Sequence, residues 1–209
     1  MSSEPPLLTD DLRRRLRQLG ETPHVEFGRI SGVDPEGLTC AAVLAPLTEI
    51  DGQICAVFTK RPDTMAEHSG EISFPGGRIE AGDNNLLETA LRETHEEIAL
   101  SPDDVTVYGN LVRMPTVTGY DVTTFVGEFD PRCTLEPNPR EIEELFMAPL
   151  VELADPSCHR IEARQWREHT FDLHFYDYQD HLIWGATGYM LYELLEFLKG
   201  DDATTDRRG

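Results

Sequence analysis

One stretch constrains this chain more than any other: GEISFPGGRIEAGDNNLLETALRETHEEIAL, residues 70–100. Ile72 to Phe74 reads as a short strand, Gly76 and Gly77 as a turn, and the remainder as an acidic loop and a helix. Asn84 or Asn85 can cap that helix by accepting backbone N–H bonds. Leu86, Leu87, Ala90, Leu91 and Ile98 recur at helical spacing and supply a buried stripe. Elsewhere on the helix, Glu93, Glu96 and Glu97 stand at i, i+3 and i+4, with Cβ atoms roughly 5–6 Å apart. Like charges that close repel, and stability alone gives no reason for them. A divalent cation, Mg²⁺ or Mn²⁺, removes the conflict by taking carboxylate oxygens and sharing its remaining positions with water and phosphate. The plainer alternative is a solvated acidic face with Glu88–Arg92 and Arg92–Glu96 as ordinary i,i+4 pairs. Gly76 and Gly77 weigh against it. Glycines permit positive φ and close backbone approach to a phosphate, and these stand directly ahead of the helix.

Gly77 to Leu100 resembles the Nudix box: a glycine, five residues, Glu, seven residues, then Arg-Glu-x-x-Glu-Glu-x-Gly. Arg92, Glu93, Glu96 and Glu97 match its second half. The departures are Asp83 at the first acidic position, one extra residue before Arg92, Thr94 at an aliphatic position and Ala99 for the last glycine. Upstream, FTKRPDTMAEHSGEISFPGG is similar to the signature of the coenzyme A diphosphatase branch, with Thr59, Arg61, His68, Gly70, Ser73, Phe74, Pro75, Gly76 and Gly77 in place. Pro62, Met65, Ala66 and Glu71 depart from it; the loss of a basic residue and the added carboxylate bear on recognition of the coenzyme's phosphates. VTGYDVTTFVG, NPREIEELFMAPL and HLIWGATGYML are similar to further blocks of that branch, so the likeness covers most of residues 53–198.

The resemblance implies an α/β/α sandwich on a mixed sheet, with a helical extension at 1–21, the catalytic domain at 22–200 and a polar tail at 201–209. It implies metal ligation by Glu93, Glu96 and Glu97 and phosphate contact by Arg61 and His68 beside the Gly76–Gly77 backbone. Glu141, the glutamate of the N-P-x-E block, becomes a fourth metal carboxylate or the general base; Glu96 is the other candidate for the base. Arg92 fits a positioning part, holding the carboxylates by charge-assisted hydrogen bonds. The implied reaction is hydrolysis of a diphosphate bond, with coenzyme A cleaved to 3′,5′-ADP and 4′-phosphopantetheine. ADP-ribose, NADH or a dinucleoside polyphosphate are the alternative substrates. A regulator that binds nucleotides without turnover is the rival class, although a binding module has no need of three crowded carboxylates.

Composition sets the surroundings. The chain has 209 residues, enough for one domain with a sizeable core, and 39 acidic against 18 basic residues give a net charge of −21. Lys60 and Lys199 are its only lysines, and the acids are spread along the chain. That composition resembles proteins of salt-filled cytoplasms, where a Debye length of about 3 Å at molar salt screens self-repulsion. A phosphate backbone calls for a basic patch, which this charge balance disfavours, so no nucleic acid partner and a small nucleotide substrate are expected. No apolar run approaches the roughly 20 residues of a membrane span, and no secretory signal is seen, so a cytoplasmic location and no membrane partner are expected. Cys40, Cys55, Cys133 and Cys158 form no C-x-x-C pair; Cys40 and Cys55 read as buried small hydrophobes. Neither a G-x-x-x-x-G-K-[ST] loop nor a G-x-S-x-G elbow occurs.

Along the chain, Asp10 can cap a short helix ending at Gly20, its arginines reading as a solvated face. His24 to Ile30, Thr39 to Leu47, Ile54 to Thr59, Val105 to Met114, Val117 to Phe129 and Ile161 to Phe175 read as strands. Glu141 to Leu153 reads as a strand leading into a short helix, and Ala186 to Leu198 as the last helix. His169, His174 and His181 show no metal-ligand spacing and read as strand-face packing. Tyr120, Phe125 and Trp184 suit base stacking or the core equally. Val122, Phe125 and Val126 suit the core or a homodimer interface.

Overall fold

The computed structural model describes residues 9–20, 24–25, 37–62, 70–166 and 169–200. In chain order these form α1 (Thr9–Leu16), β1 (His24–Val25), β2 (Thr39–Ile50), β3 (Gln53–Lys60), β4 (Ile72–Ser73), β5 (Gly76–Arg78), α2 (Leu86–Ile98), β6 (Val105–Pro115), β7 (Tyr120–Phe129), β8 (Glu144–Pro149), α3 (Leu150–Leu153), β9 (His159–Trp166), β10 (His169–Tyr178), β11 (His181–Ile183) and α4 (Gly185–Lys199). Among the described residues an eight-stranded sheet runs β1-β6-β7-β2-β3-β4, with β5 added to β2 and β8 to β3. The β1–β6 and β2–β7 pairs are parallel and the others antiparallel, so the sheet is mixed. The strands β9, β10 and β11 form a separate antiparallel sheet.

Side-chain alternation along β2 explains the layering, since successive residues point to opposite faces. Ala41, Ala45 and Leu47 face the main core, which also holds Leu12 and Leu16 of α1 and Leu191, Leu194, Leu195 and Leu198 of α4. Ala42 and Leu44 face the other way, against Ala90 of α2, with Leu86, Leu87 and Leu91 packed around them. Ile98 and Leu100 extend that second layer over Val57 and Phe129. Helices thus cover both faces of a mixed sheet, and the expected α/β/α sandwich is the observed fold.

Several local expectations are corrected. The helix α1 begins at Thr9 and ends at Leu16, so Asp10 lies inside its first turn and does not cap it. Its arginines are not a solvated row. Arg13 donates to Glu49 (2.8 Å) and Glu128 (2.8 Å), and Arg15 donates to the Leu198 carbonyl at the end of α4. Gly76 and Gly77 belong to the strand β5, pairing with Val43 and Ala42, and do not form a turn. Ile161 to Phe175 is not one strand but falls on two paired antiparallel strands, β9 and β10, and β11 comes after them. Only His24–Val25 of the strand expected from His24 to Ile30 falls within the described residues. Val122, Phe125 and Val126 are at most 8% exposed within the single chain, so they serve its core and present no interface. Cys55 is buried, Cys40 is half-buried, and the four thiols are free. No helix among the described residues is long and apolar enough to cross a membrane.

Candidate active site

The helix α2 is set by its caps. The Asn85 side chain accepts from the Glu88 N–H, while the Glu88 carboxylate accepts from the backbone and side chain of Asn84 (2.9 and 2.7 Å), a reciprocal arrangement that satisfies exposed first-turn donors. Glu88 is therefore engaged by the cap; its pairing with Arg92 is not observed. Thr94, at the aliphatic position of the box, is fully buried. It donates its hydroxyl to the Ala90 carbonyl (2.7 Å), leaving its methyl to pack. At the C-terminus Ala99 takes a left-handed conformation (φ 58°) and donates to the His95 carbonyl.

Three carboxylates reach the strand side of α2 by different supports. Glu97 is 1% exposed; its Oε1 accepts from Arg61 Nη2 and its Oε2 from the Gly76 N–H, each at 3.3 Å. Burial pushes its carboxyl up to about 8, against the pull of Arg61 and the Gly76 N–H, with repulsion from Glu93 and Glu141 adding to the rise. Glu93 lies against Gly77, where an added Cβ would meet its carboxyl carbon at 2.6 Å, so the glycine makes room for the carboxylate. Its pKa is also raised, first by burial and further by Glu96 and Glu141, while Arg92 opposes the change. Glu141 accepts from Asn138 Nδ2 (3.1 Å), and the same asparagine donates its backbone N–H to the Glu97 carbonyl (2.8 Å). One loop residue thus anchors Glu141 to the acidic helix.

Arg92 organises the remainder. Its Nε and Nη2 donate to Asp83 (2.9 and 3.0 Å), its Nη1 to Glu93 (3.0 Å) and Glu96 (3.2 Å), and its Nη2 also to the Arg78 carbonyl (3.2 Å). Asp83 accepts further from the Glu80 N–H and the Thr89 hydroxyl, and these bonds, Arg92's first, hold its carboxyl well below the usual range. The shorter residue at the first acidic position of the box therefore ties the loop to the helix. Glu96 is about half exposed.

The sequence-predicted residues Arg61, Gly76, Gly77, Arg92, Glu93, Glu97 and Glu141 are brought together, Glu96 stands at the outer edge, and His68 lies outside the described residues. Asn138 and Asp83 are the supports that a search for ligands and bases passes over; Asn138 was legible only as the first residue of the N-P-x-E block. Gly76 serves the sheet as well as the site, because its φ is +154° and an added Cβ would lie 2.4 Å from the Ala42 carbonyl oxygen. His174 is buried and hydrogen-bonded to His159 (3.0 Å), and His181 stacks on Phe146 and pairs with Glu144 (3.1 Å), so neither joins this centre. Phe125 is core, Tyr120 half-buried, and Trp184 exposed.

Hard oxygen donors of this kind suit Mg²⁺ or Mn²⁺. The carboxylates that raise one another's pKa are what such an ion would relieve, and in chemistry the donor set fits. It is not pre-assembled: no group of three or more His, Cys, Asp or Glu among the described residues is gathered closely enough to hold an ion. Arg92 and Arg61 occupy the carboxylates instead.

The layered fold and this acidic helix define a hydrolase domain. The Nudix domain pattern matches residues 38–172, and the chain belongs to the Nudix family. It is 36% identical over 163 residues to the uncharacterized Nudix hydrolase NudL of Photorhabdus laumondii, covering 75% of this chain and 83% of that protein. It is 36% identical over 162 residues to the mitochondrial Nudix hydrolase 15 of Arabidopsis thaliana, covering 72% of this chain and 55% of that protein. Among solved structures, a Nudix hydrolase of M. smegmatis, RenU, superposes with a TM-score of 0.48 at 22% identity, covering 57% of this chain and 75% of that one. The protein is a Nudix hydrolase acting on nucleoside diphosphate derivatives, a family that generally uses divalent metal ions.

Proposed function

We propose that the chain is a coenzyme A diphosphatase, cleaving the diphosphate bond to give 3′,5′-ADP and 4′-phosphopantetheine. The observation that carries the reading is the Arg61–Glu97 contact at 3.3 Å, which sets the signature upstream of the box against the buried carboxylate of the box helix. The wider resemblance of most of residues 53–198 to that branch supports the same substrate.

Glu93, Glu96 and Glu97 would hold Mg²⁺ or Mn²⁺, with Glu141 as a fourth carboxylate beside them. An ion held there would offset phosphate charge and make the attacking water more acidic. Arg92 positions Glu93 and Glu96 and joins them to the Asp83 loop. Arg61, beside Glu97, would contact a substrate phosphate, and His68 is assigned the same contact from the signature alone. Glu141 takes the proton from the attacking water. It is held by an amide, and no ion pair to it is found among the described residues, whereas Glu96 is engaged by Arg92.

A hydrolysis panel in molar salt tests this: coenzyme A, ADP-ribose, NADH and a dinucleoside polyphosphate, each with Mg²⁺ or Mn²⁺. Coenzyme A is expected to be turned over preferentially. Glu141→Gln is expected to lower kcat by about 10²–10⁴-fold, the usual span for a lost acid–base group, and Glu97→Gln to abolish turnover by removing a carboxylate that would hold the metal. Preference for another diphosphate would replace the substrate assignment. A Glu141→Gln variant at full kcat, with Glu96→Gln impaired, would move the base to Glu96.

A further inference from the structure

Away from the acidic helix, a cavity of about 570 Å³ is walled by β4, the β6–β7 connection, β10 and the first turn of α4. Small-molecule sites occupy about 300–1,000 Å³. Ile72, Met114, Thr187 and Tyr189 lie at its floor and are buried. Val117 and Trp184 stand at its edge and are 47% and 44% exposed. Large apolar side chains left in water around a concavity mark a surface that takes a ligand.

The lining also says what kind of ligand. Its charged residues are Glu71 and Asp172, both acidic, and no Lys or Arg lines it among the described residues. A phosphate brought there would lose hydration and face like charge. The Thr116 hydroxyl is taken by Thr118 (2.9 Å) and the Tyr120 backbone, while Thr118 and Thr170 add hydroxyls that accept as well as donate, and Phe171 and Trp184 add aromatic surface. Such a wall suits an uncharged group that offers N–H or O–H donors and some apolar surface.

Its position links it to the acidic centre. The Glu71 carbonyl accepts the Arg61 backbone N–H (3.0 Å), and the Arg61 guanidinium reaches Glu97 (3.3 Å). Arg61 therefore bonds through its backbone to a residue of the cavity wall and through its side chain to the buried carboxylate. We propose that this cavity seats the uncharged, hydrogen-bond-donating arm of the diphosphate substrate, while the diphosphate stays with the acidic helix. The proposal rests on the diphosphate-hydrolase reading above. Glu71, which departs from the branch signature, then faces the neutral arm and does not oppose the phosphates.

Two fragments have the required chemistry, the amide chain of pantetheine and, for a diphosphate other than coenzyme A (whose adenosine carries a 3′-phosphate), adenosine, and calorimetry distinguishes them. The full chain in molar salt is titrated with pantetheine, adenosine and ADP, alongside Thr170→Trp, which fills the cavity from an exposed strand position, and Asp172→Lys, which reverses a wall charge. One neutral fragment is expected to bind the parent chain, and both variants to weaken it by about tenfold or more; the fragment that binds identifies the arm. The same variants should raise KM for the substrate with kcat little changed. Binding of neither neutral fragment, or binding undiminished in Thr170→Trp, overturns the proposal; where pantetheine is the fragment that binds, so does ADP binding that Thr170→Trp removes. Hydrolysis by the parent chain is followed separately. Fragment binding without hydrolysis of any diphosphate counts against the hydrolase reading; hydrolysis without fragment binding counts against the cavity.

Discussion

Glu97 shows what one side chain gives up for a site. An unfolded glutamate titrates near 4.5, and burial pushes this one up to about 8 in the folded chain. Between those values the unfolded chain releases a proton that the folded chain keeps, so stability falls as pH rises from 4.5 to about 8 and then levels off. At roughly 1.4 kcal/mol per pKa unit, the effect is on the order of a few kcal/mol. Glu97→Gln, followed by urea unfolding in chelator, is expected to be more stable than the parent at pH 8–9 and to match it near pH 4. A constant difference across that range would mean that the carboxyl is already ionised in the folded chain. Ala99 carries a second local cost. Its φ of 58° lies where an L side chain is disfavoured by roughly 1–2 kcal/mol, and the family box has glycine at this place. Ala99→Gly should raise the urea midpoint by an amount worth about 1 kcal/mol with an unchanged m-value. No gain would show that contacts of the Ala99 methyl offset the strain.

At the scale of elements, α1 is held by a clasp as well as by Leu12 and Leu16. Arg13 bridges Glu49 at the end of β2 and Glu128 at the end of β7, and Tyr108 of β6 donates to the same Glu128. Burial acts to raise the Glu128 pKa, but the bonds from Arg13 and Tyr108 prevail and hold it below its ordinary 4.5. A depressed carboxylate stabilises the fold above its unfolded pKa, and the contribution is lost as pH falls through the folded value. Arg13→Ala should therefore cost about 1–3 kcal/mol at pH 7 and progressively less below pH 4.5, read from urea midpoints along a pH series. A loss that persists in acid would assign the effect to packing of the arginine stem. The elements whose signal was legible in sequence are those with a strong period or cap: α2 from its apolar stripe and Asn85, β2 and β3 from their branched apolar runs, α4 from its leucines. The β9–β10 pair reads in sequence as one strand because Arg167 and Glu168, between its arms, are not turn-forming residue types. At the next turn Gln179 takes φ 51° where Gly or Asn would have announced it. Gly76 and Gly77 misled in the opposite direction, since their lack of side chains serves the approach of β5 to β2 and of Glu93 to Gly77. The chemical residues of the site were legible, but Asn138 and Asp83 act through bonds that only the folded chain makes.

The whole molecule carries 21 more acidic than basic residues, and that excess acts differently from any local pair. Salt weakens the Arg13–Glu128 and Arg92–Asp83 contacts only partly, because their partners are shielded from solvent, with Glu128 and Asp83 17% and 6% exposed. Repulsion among carboxylates spread over the surface is screened far more, the Debye length falling from about 10 Å at 0.1 M to about 3 Å at 1 M. The uncompensated excess makes the second effect the larger, so salt should stabilise this fold. The urea midpoint is expected to rise steadily between about 0.1 M and 2 M KCl. Sucrose at matched osmolality supplies the control, because excluded solutes strengthen burial without screening charge. A rise in KCl well beyond that in sucrose would assign the stabilisation to screening. An equal rise in both would assign it to solute exclusion, and a fall in KCl would mean that the ion pairs outweigh the repulsion. The same acidic field opposes the approach of an anionic substrate, so KM should fall with added salt over the range in which the midpoint rises.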